Sequence, residues 1–166
     1  ERFERLGFFV HKRYSSNSWP SFKRVQPFSV LDHNGEINTI QQLRQEAKML
    51  AVPIQPDSSD SQDLNRTIDT LVSREGFSLA EAMEMVVPPI VEEIRGLPEE
   101  LHGFYMYLHQ AMGPFAQGPV ALIARQADEW VFFAHPVGLR PLWQVQTEDD
   151  YAHDDFPVLR LSVVMN

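Results

Sequence analysis

The most informative part of the sequence is a polar run that directly follows an apolar one: His33-Asn34-Gly35-Glu36-Ile37-Asn38-Thr39 comes after Phe28-Ser29-Val30-Leu31. An Asn-Gly pair is a strong signal for a tight turn, so Asn34-Gly35 predicts a hairpin or a connection between a strand and a helix. Taken alone, this turn indicates no function. Its neighbours in the chain change the interpretation, because they add one cationic and one anionic side chain.

These two charges stand in the runs Arg13-Tyr14-Ser15-Ser16-Asn17, upstream, and Ser59-Asp60-Ser61, downstream. Arg13 can hold a carboxylate with two parallel hydrogen bonds, and Asp60 can accept hydrogen bonds from an ammonium group. The Asn34 amide and the Gly35 backbone N–H could stabilise an oxyanion at an acyl centre. A small zwitterion with a carbonyl group presents all of these partners. The alternative is two unrelated surface charges and a turn without function.

The composition is that of an ordinary globular protein. With 166 residues, 43% apolar and 22% charged, the chain is long enough for one full core and short for two. We therefore expect one domain over residues 1–166. The net charge of -9, without a basic stripe, argues against nucleic acid and anionic membrane surfaces as partners. No apolar run has the length of a membrane span and no signal peptide opens the chain, so a cytoplasmic location is expected.

Cysteine is absent, which excludes disulfides, thiolate metal sites and a cysteine nucleophile within these 166 residues. The histidines give no metal pattern, since His102 and His109 lack the spacing and the glutamate of a zinc-protease helix. Asp57, Asp60 and Asp63 recur at every third residue, whereas a calcium loop needs alternate oxygen ligands and a glycine. We expect no metal site.

Hydrophobic spacing predicts an α+β fold with strands towards both ends and helices between them. The predicted strands are Leu6–Val10, about Pro27–Leu31, Pro119–Ala124, Trp130–Ala134, Pro141–Val145 and Val158–Val164. The first predicted helix is capped by Thr39, with an apolar face of Ile40, Leu43, Ala47 and Leu50. The second follows the acidic loop Asp57–Ser61, carries Leu64, Ile68, Leu71 and Val72, and has Gly76 just past its end. Short connections favour antiparallel neighbours.

Two further helices are predicted before the last strands. Ser78 and Glu81 form a capping box that opens the first of them, which ends near Pro88-Pro89. The second runs over Pro98–Met112, with an expected apolar face of Leu101, Phe104, Tyr105 and Leu108.

The order of the motifs resembles one family, the glutamine amidotransferase domain of the glutamate synthase large subunit, in the class II or N-terminal-nucleophile group. Residues 13–21 are similar to that family's RYSTNTFPS segment, and residues 26–28 with 33–39 match QPF and HNGEINT. Residues 59–61 match SDS, residues 78–82 resemble SLPEA, residues 118–121 resemble GPAA, and residues 138–141 match GLRP. The similarity runs in unbroken order from about Phe8 to Asp149.

This resemblance implies a four-layer αββα sandwich of two antiparallel sheets, incomplete at its N-terminus. It implies that Arg13 binds the carboxylate of glutamine, that Asp60 binds its ammonium group, and that Asn34 and the Gly35 N–H form the oxyanion hole. In the family an N-terminal cysteine attacks the side-chain amide and releases ammonia for use at a distant FMN and iron–sulfur centre. No cofactor is expected on this chain. The implied partners are glutamine and the remaining domains or subunits of a glutamate synthase, an oxidoreductase of glutamate biosynthesis and nitrogen assimilation.

The sequence departs from the family in two places. It starts at Glu1, shortly before the Arg13 segment, so we expect that the first strand and its nucleophile are missing or on a separate segment. The family's DRNGLRP element reads His135-Pro136-Val137-Gly138-Leu139-Arg140-Pro141 here, without the acidic residue. Nothing after Tyr151 resembles the family's continuation.

Three hypotheses therefore stand. In the first, the chain is the glutamine-binding part of an amidotransferase domain; the set of Arg13, Asn34, Gly35 and Asp60 favours it. In the second, it is a module without a nucleophile that senses an amino acid or acts as a subunit scaffold; the absence of cysteine and the change at His135 favour it. In the third, it is an unrelated α+β protein.

Overall fold

The computed structural model describes residues 21–26, 28–111, 115–127, 129–135, 140 and 142. This part of the chain contains five α-helices, one short 3-10 helix and one three-stranded sheet. Arg13, the predicted strand Leu6–Val10 and the last two predicted strands lie outside the described residues, apart from Leu142. The α+β class predicted from the sequence is confirmed for the described part.

The sheet consists of β1 (Leu31–Gly35), β2 (Val120–Gln126) and β3 (Glu129–Ala134), in the order β1-β2-β3. Both pairings are antiparallel, as the sequence predicted. The central strand β2 is buried along most of its length, in agreement with its nearly continuous apolar run Val120–Ala124, which is typical of a strand covered on both faces. The predictions for β2 and β3 are therefore correct to within a few residues.

The strand predicted at about Pro27–Leu31 is wrong, and so is the tight turn predicted at Asn34-Gly35. The strand begins at Leu31 and includes both residues of the supposed turn. Asn34 lies opposite Ala121 and Gly35 opposite Val120 in the ladder with β2. Pairing with a distant strand thus overrides the local turn preference of Asn-Gly, a preference that applies only when the chain folds back on itself.

Five helices connect β1 to β2 within the described residues. They are α1 (Ile40–Met49), α2 (Asp60–Ser73), α3 (Leu79–Val86), α4 (Val91–Arg95) and α5 (Glu99–Ala111); the 3-10 helix Phe22–Arg24 precedes β1. The short helix α4 was not predicted, because five residues after a Pro-Pro pair carry too little periodicity. The predicted capping box of Ser78 and Glu81 is confirmed at α3, and Ser59 and Gln62 form a second one at α2.

Two helix starts use partners from far along the chain. Thr39 stands at the N-cap of α1, but its side chain does not cap the helix as predicted. Instead, its hydroxyl donates to the carbonyl oxygen of Phe115 and accepts the N–H of Gln117, at 3.2 and 2.8 Å. At α3, the carboxylate of Glu129 on β3 accepts the N–H groups of Leu79 and Ala80, each at 2.9 Å. These bonds attach α1 to the segment that leads into β2, and α3 to β3.

The core forms where α1, α2 and α3 pack with the sheet. The largest fully buried apolar side chains are Leu31, Leu43, Leu64, Ile68, Leu71, Leu79, Leu122 and Phe115. Each buried side chain of this size contributes about 1.5–3 kcal/mol relative to exposure. Packing of α2 and α3 against the strands therefore fixes the start of α2 beside the end of β1.

The face predicted for α5 is wrong in part. Tyr105 is buried, but Leu101 is 41% and Phe104 is 54% exposed. Within the described residues the main packing partner of α5 is α4, and no strand packs along its other side. Helical periodicity identifies side chains that share a face, but it does not identify which face another element covers.

Candidate active site

The backbone of β1 presents the N–H of Gly35 away from β2. The N–H of Arg125 donates to the carbonyl of Val30 at 2.7 Å, and the N–H of Glu36 donates to that of Pro119 at 3.3 Å. In an antiparallel ladder, every second residue bonds to the neighbouring strand and the residues between point outwards. Gly35 is one of the residues between, so the β1–β2 ladder does not use its N–H.

The same alternation is visible in the preceding outward groups of β1, which find side-chain partners. The N–H of Leu31 donates to Asn65 Oδ1 at 3.2 Å, and the N–H of His33 donates to Gln26 Oε1 at 2.6 Å. The Gln26 amide returns a hydrogen bond to the carbonyl of His33 at 2.9 Å. These bonds fix the outer edge of β1 up to Gly35, whose outward N–H has no hydrogen-bond partner among the described residues.

Gly35 has to be glycine for a steric reason. Its φ is +153°, and a Cβ built on it would overlap the carbonyl oxygen of Pro119 and lie 2.9 Å from the carbonyl carbon. Gly118, at the start of the opposing segment, has a φ of +157°. A Cβ built on it would overlap the carbonyl oxygen of Glu36. Only glycine combines this conformation with such a close approach. The two glycines let the end of β1 pass directly against the segment that enters β2.

Asn34 and His33 point to opposite faces of the sheet, because side chains alternate along a strand. Asn34 is exposed, whereas His33 is only 3% exposed. The amide of Asn34 is therefore accessible next to the outward N–H of Gly35. Two hydrogen-bond donors of this kind on adjacent residues can stabilise a developing oxyanion.

Asp60 is the first residue of α2, and its half-buried carboxylate lies close to the end of β1. Its Oδ1 accepts the N–H of Ser61 at 2.7 Å and the Ser61 hydroxyl at 3.3 Å. Its Oδ2 accepts the N–H of Ile37, two residues beyond Gly35, at 3.3 Å. Asp60 thus stands at the N-terminal end of α2, where the helix dipole interacts favourably with a negative charge.

His33 connects β1 to the start of α2 from the buried side. Its Nδ1 lies 2.6 Å from the hydroxyl oxygen of Ser61. Burial lowers the pKa of His33 to about 4; the Asp60 carboxylate opposes this shift, and the positive charge of Arg140 adds to it. The imidazole is therefore neutral at pH 7.

Two buried polar atoms near this cluster have no hydrogen-bond partner among the residues that the structure describes. They are Nε2 of His33 and Nε of Arg140. Buried polar atoms are usually paired, so such atoms concentrate at functional positions. The sequence motifs contained His33, Ser61 and Arg140 but gave none of them a role. The available signal was the alternation on β1, which turns His33 towards the helix when Asn34 faces out.

The start of α2 is fixed by a buried ion pair. Asp63 is fully buried and accepts a hydrogen bond from Arg44 Nε at 2.7 Å, together with one from the Ser58 hydroxyl. Arg44 also donates to the carbonyl of Ser58 at 2.9 Å. Two residues later, Asn65 Oδ1 accepts the N–H groups of Val30 and Leu31. Asp60 is thus held on a helix that is bonded to β1.

Of the four predicted site residues, the structure brings three together. Asn34 and Gly35 end β1, and Asp60 bonds to the backbone just after them. Arg13 lies outside the described residues.

The described residues contain neither a group of side chains suited to a metal ion nor a membrane-spanning helix. In the described ranges, no three His, Asp or Glu side chains are grouped so that they could hold a metal ion. Among the same residues, no helix is long and apolar enough to cross a membrane.

Comparison of the sequence with known proteins identifies the family. The family model described as "Glutamine amidotransferases class-II" matches residues 1–153, and the chain belongs to this family. Membership implies the N-terminal-nucleophile fold, with which the described helices and antiparallel sheet are compatible.

Within that family, the chain is similar to glutamate synthases. It is 33% identical over 162 residues to the chloroplastic ferredoxin-dependent glutamate synthase of Oryza sativa subsp. japonica, covering 86% of this chain and 10% of the relative. It is 31% identical over 166 residues to the glutamate synthase [NADPH] large chain of Azospirillum brasilense, covering 90% and 11%. The corresponding large chain of Bacillus subtilis (strain 168) is 30% identical over 168 residues, covering 91% and 11%. The chain therefore spans about a tenth of the length of these relatives, and the family predicted from the motifs is confirmed.

Proposed function

We propose that this chain is the glutamine-binding part of the amidotransferase domain of a glutamate synthase or a glutamate-synthase-like protein. The intact enzyme would hydrolyse glutamine to glutamate and ammonia and pass the ammonia to an acceptor. One observation carries the proposal: the outward N–H of Gly35, the exposed amide of Asn34 and the carboxylate of Asp60 meet at one end of β1. Family membership supports it independently.

Each residue has a defined task in this reaction. Asp60 accepts hydrogen bonds from the ammonium group of glutamine, and Arg13 binds its carboxylate with a planar pair of donors. Attack on the side-chain amide carbon converts its carbonyl oxygen into an oxyanion, which accepts from Asn34 and from the Gly35 N–H. Ammonia then leaves, and water releases glutamate from the acyl intermediate. Removal of one such oxyanion donor typically costs about 10²–10³ in rate.

The nucleophile of this reaction is not among the 166 residues if it is a cysteine, because the sequence contains none. The same fact bears on cofactors. An iron–sulfur cluster is held by cysteine thiolates, so these residues do not fit one. We assign the FMN and the cluster of a glutamate synthase to its remaining domains or subunits, which would be the partners of this chain.

We further propose that residues 1–166 form part of one domain with a four-layer αββα arrangement. The sheet β1-β2-β3 would belong to one of its two antiparallel sheets, with α2 and α3 in the helical layer that covers it. The packing of these helices against the strands supports this assignment. A crystal structure of the intact protein tests the layering directly.

Calorimetric titration of the chain with glutamine tests the site. Asp60→Ala and Arg13→Ala are each expected to weaken binding about 10- to 100-fold, because each removes a charge-assisted contact. Asp69→Ala is the matched control, since Asp69 lies on α2 and, among the described residues, accepts hydrogen bonds from the exposed hydroxyls of Ser29 and Ser73. Equal affinities of the wild type and both site variants would contradict the assignment.

The change at His135, where the family has an acidic residue, favours a second candidate, a module that binds an amino acid without turnover. Assay of the product of the complete gene separates the two. Glutaminase activity that falls about 10²–10³-fold in Asn34→Ala supports the enzyme. Tight binding of glutamine or glutamate without hydrolysis by that product supports the sensor, and no binding of either supports a scaffold.

A further inference from the structure

We propose that His33 is a positioning residue for the amino group of the substrate: its Nδ1–H donates to the hydroxyl of Ser61, which donates in turn to Oδ1 of Asp60. This relay would hold the Asp60 carboxylate in the orientation that receives the ammonium group. The inference rests on the proposed function, because it assumes that Asp60 binds that group.

The direction of the relay follows from the single proton of the serine hydroxyl. The hydroxyl oxygen of Ser61 lies 2.6 Å from His33 Nδ1 and 3.3 Å from Asp60 Oδ1. An ionised carboxylate can only accept, so a hydrogen bond between Ser61 and Asp60 uses the hydroxyl proton. The serine oxygen must then accept from His33, which places the imidazole proton on Nδ1.

The opposite arrangement leaves two groups unsatisfied. If Ser61 donated to His33, the imidazole proton would sit on Nε2, which is buried and has no partner among the described residues. A buried N–H without an acceptor costs free energy, and Ser61 would turn a lone pair towards Asp60. The Nδ1–H form leaves an acceptor at Nε2, and the nearby positive charge of Arg140 favours an acceptor over a donor there.

Because the His33 imidazole is neutral, the hydrogen bonds of the relay run in one direction only. Protonation of His33 would bury a second N–H and a positive charge in a side chain that is 3% exposed. The charged groups that act on the ring are Asp60 and Arg140, and burial outweighs the attraction of Asp60, so that the pKa lies near 4. Above about pH 5, the tautomer that donates to Ser61 is therefore the one that the site contains.

His33 also links the two proposed subsites, one on β1 and one at the start of α2. It directly precedes Asn34 on β1, and its backbone is held by the side chain of Gln26 through both the N–H and the carbonyl group. Its side chain reaches Ser61 on α2. One residue thus ties the strand that offers the oxyanion donors to the helix that offers the carboxylate, which fixes the separation between the two subsites.

Three substitutions of His33 test the relay by calorimetric titration with glutamine. The amide nitrogen of an asparagine side chain lies near the position of Nδ1, whereas that of glutamine lies near Nε2. We expect His33→Ala and His33→Gln to weaken glutamine binding about tenfold, and His33→Asn to stay within about threefold of the wild type. An asparagine variant that binds no better than the glutamine variant would overturn the proposal.

Ser61→Ala gives the matched variant at the other end of the hydrogen bond. It should weaken binding about as much as His33→Ala, and the double variant should be no weaker than either single one, since each breaks the same chain. Additive losses would overturn the relay. If His33→Ala does not fold, the comparison of His33→Asn, His33→Gln and Ser61→Ala decides the question by itself.

A second ligand separates positioning from general damage to the site. Glutaramate is glutamine without its α-amino group, so it does not use Asp60. His33→Ala should reduce the preference for glutamine over glutaramate about tenfold, whereas a merely distorted site would weaken both ligands alike and overturn the proposal.

Asp60→Ala is the reference that keeps the two hypotheses apart. If Asp60→Ala binds glutamine as well as the wild type does, the proposed function fails. If Asp60→Ala loses binding and His33→Ala retains it, only the role of His33 fails.

Discussion

The backbone of Gly35 passes the carbonyl group of Pro119 so closely that no side chain fits between them. Gly118, the residue before Pro119, has the same relation to the carbonyl of Glu36. The contact lies where β1 ends and where the chain enters β2, and it holds the outward N–H of Gly35 in place. Its effect on stability can be measured without any ligand.

We expect Gly35→Ala to destabilise the protein by about 2–4 kcal/mol, because the new Cβ combines an unfavourable φ with an overlap on rigid backbone. The change should appear as a lower urea midpoint at unchanged slope. Gly103→Ala is the control, since a Cβ at this position in α5 meets nothing within 4 Å. Alanine there should be neutral or stabilise the helix by up to about 1 kcal/mol. Similar destabilisation by both substitutions would contradict the steric explanation.

Asn65 determines how the beginning of β1 is held on α2. Asn65→Ala removes the acceptor of two N–H groups, those of Val30 and Leu31, at 3.0 and 3.2 Å. Because both donors are buried, we expect a loss of about 2–4 kcal/mol in the free energy of unfolding. Ser73→Ala, which removes an exposed hydrogen bond to Asp69 later in α2, should change it by less than about 0.5 kcal/mol. Amide hydrogen exchange should show Val30 and Leu31 losing protection first in Asn65→Ala.

Removal of the buried Asp63 from its pair with Arg44 should destabilise the protein more than removal of one partner from an exposed pair. Asp63→Ala removes the buried carboxylate that accepts from Arg44 Nε and from the Ser58 hydroxyl. Because Arg44 keeps the carbonyl of Ser58 and the hydroxyl keeps that of Gln55, we expect a destabilisation of about 2–4 kcal/mol. Glu75→Ala removes the partner of Arg74 at an exposed position, with an expected cost below about 1 kcal/mol. Thermal unfolding of both variants at low and high salt checks this, because the contribution of the exposed pair should depend more strongly on ionic strength. Equal losses in the two variants would contradict it.

His33 should make the stability depend on pH in a defined window. Its folded-state pKa of about 4 lies below the ordinary 6.5, so between these values the unfolded chain binds the proton that the folded chain refuses. Stability contributed by His33 is therefore complete above about pH 6.5 and decreases as the pH falls towards 4, by about 3 kcal/mol at most. Urea unfolding at pH 7 and pH 4.5 measures the loss, and His33→Asn should reduce the difference. An unchanged difference in that variant would assign the pH dependence to other groups.

Sequence patterns predicted the elements whose signals are local. The capping box at Ser78 and the glycine past the end of α2 were correct, whereas α2 begins at Asp60, inside the loop Asp57–Ser61 that was predicted to precede it. The motif order also identified the family. That Asn34, Gly35 and Asp60 form one glutamine site stays a prediction, although the structure brings the three residues close together. Each of these depends on residues that are close together in the chain or on motifs in a fixed order.

The remaining features depend on contacts between distant residues. Asn34-Gly35 is part of a strand because Ala121 and Val120 lie opposite it, and the hydroxyl of Thr39 bonds to residues 115 and 117 instead of capping α1. The role that we propose for His33 requires α2 to lie against β1. Such pairings follow from the packed fold and leave no periodic trace in the sequence.

The close approach of Gly35 and Gly118 also protects the alignment of the strands. If β1 slipped by one residue along β2, Asn34 or Glu36 would come to the point where Gly35 now passes Pro119, and either Cβ would collide with that carbonyl. The same slip would move His33 to the opposite face of the sheet. Ladder hydrogen bonds alone discriminate poorly between neighbouring alignments, because every residue offers the same backbone groups. The two glycines therefore fix the placement of Asn34 and of the Gly35 N–H by excluding the neighbouring alignments of β1.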